Sequence, residues 1–184
     1  MPENALIVID MLNPYDHEDG ERLAACVAEK LPQMVELRDR AKEHADVKLV
    51  YVNDNYDQWE AGRETLIERA LEGKHPELVE PIAPEGDRPF LPKGRHSIFY
   101  ETALGHLLRV AEVERVILVG QVTEQCILYS ALDAYLRGFE VVVPPDAVAH
   151  IDGELAEAAL RMMQRNMHAS ITPAADVFAY SRRS

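Results

Sequence analysis

Residues 116–138 read VILVGQVTEQCILYSALDAYLRG, and this segment decides the fold. Four uninterrupted apolar residues predict a strand covered on both faces. Gly120 marks a turn, and the apolar spacing after it predicts an amphipathic helix over 124–137 that ends at Arg137 and Gly138. Thr123 is placed to cap that helix through its hydroxyl. Cys126 then falls at the third helical position, where amide hydrogens lack intrahelical acceptors and the helix dipole is positive. Both features favour a thiolate, and a nearby cation would bring the thiol pKa to about 3.5–7.5. An inert buried cysteine fits the same segment. The position at the carboxyl end of a strand favours chemistry.

Outward from this segment the pattern repeats. Short β-branched runs at 5–9, 47–52 and 141–143 predict further buried strands, with a short one at 169–172 closing an edge. Helical periodicity covers 20–44, 102–112 and 153–166, and a final helix is expected from Ala174 to Tyr180. Strand and helix alternate, which predicts a doubly wound α/β sheet, because parallel strands require crossovers that place helices on both faces. The stretch 54–92 carries five of the eleven prolines and reads as an irregular excursion with one or two short helices. A chain of 184 residues is expected to form one domain over 1–184, large enough to build a core without disulfides or metals.

The balance of 19 Lys and Arg against 32 Asp and Glu gives a formal net charge of −13, which disfavours nucleic-acid and membrane partners. The N-terminal apolar run is too short for a signal peptide or a membrane span. Two cysteines a hundred residues apart suggest no disulfide framework, and a cytoplasmic location is expected. Neither G-x-G-x-x-G nor G-x-x-x-x-G-K-[ST] occurs, so dinucleotide and NTP sites are set aside, and H-E-x-x-H and G-x-S-x-G are also absent.

In an open parallel sheet, ligands gather beyond the carboxyl ends of the strands. The residues there are Asp10, Asn53 and Asp54, Gly120 to Thr123, and Pro144 to Asp146. Asp10 directly follows a wholly apolar strand and needs a cation or hydrogen bonds to be buried there. Lys93 sits among Pro92, Gly94 and Arg95 where the chain leaves the excursion. Cys26, between alanines in mid-helix, reads as a packing residue. His17 with Asp16 and Asp19 reads as a solvated acidic loop rather than a metal site.

Three motifs in order, namely Asp10 after the first strand, Lys93 before R-x-S-x-F-x-x-T (Arg95, Ser97, Phe99, Thr102) and G-x-V-T-x-x-C (Gly120 to Cys126), resemble the isochorismatase-like cysteine hydrolase superfamily. VVVPPDAVA after the next strand adds to the likeness, which covers nearly the whole chain. The resemblance implies a three-layer Rossmann-like α/β fold with a six-stranded, mostly parallel sheet and helices on both faces. It implies a catalytic triad of Asp10, Lys93 and Cys126, with Asp10 as base and then acid, and Lys93 holding the carboxylate. It further implies an oxyanion hole from the backbone N–H groups of Val122 and Cys126, with a non-proline cis peptide between Gln121 and Val122. Tyr15, Trp59 and Tyr129 are expected by analogy to line the substrate pocket.

The sequence also departs from the family. Nicotinamidases of the family carry D-x-H after the second strand as metal ligands, whereas Asp54-Asn55-Tyr56 supplies no imidazole, so no metal and no cofactor are expected. Glu124 replaces the commoner aspartate and keeps an acid in the first helical turn. The leading expectation is hydrolysis of a small amide, ureide or carbamoyl C–N bond through a thioester. An isochorismatase-type vinyl ether hydrolase does not depend on a cysteine nucleophile, and the intact Cys126 argues against it. A non-catalytic binding or scaffold protein would be expected to have lost part of the triad, and none is lost. The partners expected are a small-molecule substrate and further copies of the chain, as a homo-oligomer (dimer or tetramer).

Overall fold

A computed structural model describes residues 4–179. Seven strands form one parallel sheet: β1 (Asn4–Ile9), β2 (Val47–Asp54), β3 (Phe90–Lys93), β4 (Arg115–Gln121), β5 (Glu140–Val143), β6 (Val148–Ala149) and β7 (Ser170–Ile171). The main path runs β3-β2-β1-β4-β5-β7, and β6 pairs with β4 beyond the end of β5. The six-strand path matches the expected architecture. Two strands escaped the sequence pattern. FLPK (β3) contains a proline and a lysine, which a sheet edge tolerates but an interior strand does not. The pair Val148–Ala149 is too short to show any period.

Because β1 lies between β2 and β4, the winding reverses there, and the crevice at that reversal is the expected ligand position of a doubly wound sheet. Side chains alternate across β1. Leu6 and Val8 face a core with Leu23, Val27, Leu31 and Met34 of α1 (Gly20–Glu43), which continues through Pro32. α2 (Arg63–Leu71) and α3 (Pro76–Val79) cover the same face. Ala5, Ile7 and Ile9 face the other core, formed with α4 (Leu104–Val110), α5 (Leu128–Leu136) and α6 (Gly153–Asn166).

Three expected helices change. The one at 102–112 shrinks to α4. The one at 124–137 begins instead as a π-helical turn, Thr123–Ile127, before α5. The final helix reduces to a 3-10 turn at Ala174–Asp176, and Tyr180 lies outside the described residues. Among the described residues, no helix is long and apolar enough to cross a membrane.

Gly120 fixes the closest approach of β1 and β4. Its φ is +115°, and a Cβ there would strike the carbonyl oxygen of Ile9. Gly120→Ala is expected to destabilise the protein by about 3 kcal/mol, from the left-handed backbone and the collision together, read as a lower midpoint in urea denaturation.

Candidate functional site

Three carboxyl-end segments meet at the β1–β4 crevice. Asp10 follows β1 with φ of 56°, its N–H bonded to Val52 O at 3.0 Å. Asn53 laces β2 to the β1 loop, accepting from Leu12 N at 2.8 Å and donating to Leu12 O at 3.2 Å. Gln121 donates from Nε2 to Asp10 O at 2.6 Å. These bonds fix the direction in which the Asp10 carboxylate points. Oδ1 accepts from Asp54 N at 2.7 Å, and Oδ2 lies 2.9 Å from Lys93 Nζ.

Lys93 ends β3 and reaches across β2 beneath the crevice, where it is only 1% exposed. Its Nζ lies 3.5 Å from Cys126 Sγ and 3.5 Å from Asp54 Oδ2. Burial disfavours the ammonium, but Asp10, by charge and hydrogen bond, and the charge of Asp54 act against it, and the lysine is held protonated above its ordinary range. The structure thus brings Asp10, Lys93 and Cys126 together. It adds Asp54, whose Oδ1 accepts from Tyr56 N at 2.7 Å, as a second carboxylate on the lysine.

The R-x-S-x-F-x-x-T segment is a clamp. Ser97 Oγ donates to Asp133 of α5, Ile98 N donates to Ser130 Oγ at 3.1 Å, and Thr102 Oγ1 accepts from Leu104 N at 3.3 Å as α4 begins. The segment after Lys93 is thereby tied to α5, which continues the turn that carries Cys126.

The environment of Cys126 differs from the expected one. Thr123 caps nothing: its hydroxyl donates to Ala149 O of β6 at 2.9 Å, because the π turn points it back at the sheet. The thiol pKa is pushed up, not down. Burial is the largest cause, and the hydrogen-bonded, negatively charged Asp10 adds to it against the pull of Lys93. The resting cysteine is a thiol facing a carboxylate. The peptide between Gln121 and Val122 is cis. Glu124 stays in the first turn of its helix as expected and also latches the start of α6, its Oε1 accepting from Ile151 N at 2.9 Å and Asp152 N at 2.8 Å.

The expected pocket residues separate. Tyr15 is fully buried, with its hydroxyl 3.4 Å from Gln121 Oε1 and its ring edge-on to His75, so it supports the site from below and does not line an opening. Trp59 is 73% exposed, and its ring covers Gly94, next to Lys93. Tyr129 is half-exposed, with its ring centroid 5.4 Å from that of His96. His96 itself was not singled out by the sequence pattern, yet its Nδ1 lies 3.7 Å from Cys126 Sγ. One histidine among seven carries no spacing signal, and only the turn after β3 brings it to the sulfur.

Cys26 is half-buried on α1, its Sγ 3.4 Å from His150 Nδ1. A cavity of about 490 Å³ lies at the opposite, amino end of β4 and β5, lined by Tyr135, Phe139, Met167 and His168, and no cysteine lines it. Among the described residues, no group of three or more His, Cys, Asp or Glu side chains is arranged to hold a metal ion.

Because Asp10 raises the Cys126 pKa by charge and by hydrogen bonding, Asp10→Asn is expected to lower it. Alkylation of Cys126 by iodoacetamide near neutral pH should accelerate, about tenfold per pKa unit lost, even as any hydrolysis fails. Peptide mapping after timed alkylation reads this directly. A slower reaction in the variant would contradict the assigned electrostatics.

The isochorismatase domain model matches residues 4–176. The isochorismatase family protein YaaI of Bacillus subtilis is 33% identical over 170 residues, covering 92% of this chain and 93% of that one. The ureidoacrylate amidohydrolase RutB of Pantoea ananatis is 27% identical over 183 residues, covering 85% and 73%. An isochorismatase-like hydrolase structure from Alkaliphilus metalliredigens superposes with a TM-score of 0.76 at 20% identity, covering 97% of this chain and 96% of that one. With the family model spanning nearly every described residue and a relative of matching length a third identical, the chain belongs to the isochorismatase family of hydrolases.

Proposed function

We propose that the protein is a cysteine hydrolase that cleaves the C–N bond of a small amide, ureide or carbamoyl compound, with Asp10, Lys93 and Cys126 as its catalytic triad. The observation that carries this reading is the Lys93 ammonium placed 2.9 Å from Asp10 Oδ2 and 3.5 Å from Cys126 Sγ. The amidohydrolase relatives support the reaction class.

The chemistry follows from the protonation states. Asp10, hydrogen-bonded to the thiol, accepts its proton as Sγ attacks the substrate carbonyl, so the thiolate forms only as it is used. Lys93 keeps its proton throughout and stabilises the negative charge as it moves between carboxylate and sulfur. The backbone N–H groups of Val122 and Cys126 are the donors proposed for the tetrahedral oxyanion, an interaction of about 2.7–4 kcal/mol per donor in related chemistry. Collapse of the intermediate breaks the C–N bond, and the proton on Asp10 passes to the leaving nitrogen. A thioester on Cys126 remains for water to hydrolyse. Trp59 and Tyr129, beside Gly94 and His96, are proposed to flank the substrate.

No metal is required in this scheme. Asp54 turns one oxygen to Lys93 and the other to Tyr56 N, which leaves its carboxylate serving the lysine. We further propose that the chain works in the cytoplasm as a dimer or tetramer, in keeping with the exposed Tyr129, Leu132 and Leu136 on α5 and Leu155 and Met162 on α6. Light scattering should give a mass of two or four chains, and a monomer would refute the assembly.

Assay of a panel of amides, ureides and carbamoyl compounds tests the reaction. Cys126→Ala is expected to remove turnover while the thermal midpoint changes little. Dialysis against a chelator should leave the wild-type rate unchanged. Quenched wild-type enzyme should carry a single acyl adduct on Cys126 by mass spectrometry, and an adduct on Cys26 instead would overturn the assignment.

A further inference from the structure

We propose that His96 is the base of the second half-reaction, taking a proton from the water that hydrolyses the Cys126 thioester and returning it to the sulfur. This rests on the cysteine hydrolase reading above and deepens it. The sulfur has two sides. On the buried side stand Asp10 and Lys93, 7% and 1% exposed, with both Asp10 oxygens engaged by Asp54 N and Lys93 Nζ. On the solvent side stands His96, an exposed residue whose Nδ1 is 3.7 Å from Sγ.

The His96 ring is steadied by Tyr129, one helical turn beyond Cys126, at an interplanar angle of 34°. The neighbouring Arg95 is turned away, donating to Gly94 O at 2.7 Å and lying 4.0 Å from Asp57. Water reaches an acylated sulfur from the exposed side. A water between His96 Nδ1 and the acyl carbon is within reach of both, since that carbon is bonded directly to Sγ.

The step balances without any further reactant. The water oxygen forms a bond to the acyl carbon as one of its protons passes to neutral His96 Nδ1. The tetrahedral intermediate then collapses, the C–S bond breaks, and the electron pair stays on sulfur. The imidazolium returns its proton across the same short gap, which restores the thiol and a neutral His96. The product leaves as a carboxylic acid, or as a carbamic acid from ureides. Asp10 and Lys93 serve the first half-reaction, and His96 serves the second.

The test uses p-nitrophenyl acetate, an activated ester that acylates thiols quickly, with the full chain and with His96→Gln and His96→Asn. Wild type should release a burst of p-nitrophenol followed by a steady phase set by deacylation. Both variants should keep the burst and slow the steady phase by about 100-fold, with acetylated Cys126 accumulating by intact mass. An unchanged steady phase, or a burst that slows together with it, would overturn the assignment. Absence of acetyl-Cys126 in the wild type would instead remove the nucleophile itself, and both proposals with it. Because His96 is exposed, neither substitution disturbs the core, and circular dichroism of the variants checks this.

Discussion

The ion pair between Lys93 and Asp10 is the constraint on which the rest of the site depends. Taking an ammonium and a carboxylate out of water costs several kcal/mol for each ion, and only close, well-hydrogen-bonded geometry repays it. Here the repayment needs three separate strand ends. Lys93 comes from β3, Asp10 from β1, and the Asp54 backbone and carboxylate from β2 between them. Two strand spacings of about 4.8 Å separate β3 from β1, a span that a lysine side chain can bridge when its strand end is in the right register. The pairing Asp54↔Lys93 supplies that register. A shift by one residue would send the ammonium to the opposite face.

The same pair governs the sulfur. A cysteine at a helix start beside a cation is commonly read as a ready-made thiolate, and the sequence invites that reading at Cys126. The fold sets both the carboxylate and the ammonium against the sulfur, and buries all three. Burial is the largest influence on Sγ and the Asp10 charge acts with it against Lys93, so the neutral thiol is favoured. A cysteine held as a thiol beside a carboxylate is less open to oxidation than a thiolate would be.

Much of the fold is legible in the sequence because buried parallel strands leave uninterrupted β-branched runs, and because the covering helices carry apolar residues at the helical period. β1, β2, β4 and β5 stand out on that ground, as do α1 and α6. β3 and β6 do not, since an edge strand holding Pro92 and Lys93 and a two-residue strand obey neither pattern. The proposed triad is legible from motif order. Its surroundings are not: Asp54 joins Lys93 only through strand register, and His96 reaches the sulfur only through the turn after β3. Tyr15 shows the opposite failure, since an aromatic residue beside a strand end looks like a pocket wall, yet the chain curls back and closes it within the core.

The sequence by itself determined the doubly wound architecture, the family and the three residues of the proposed triad. Hydrophobic period and motif spacing are properties of the chain in one dimension. Tertiary structure decided the charge state of the sulfur, the partner of Thr123, the latch made by Glu124 and the side from which His96 approaches. Each of these depends on distances and burial between residues remote in the chain, and Coulombic and desolvation energies are fixed only once those distances exist.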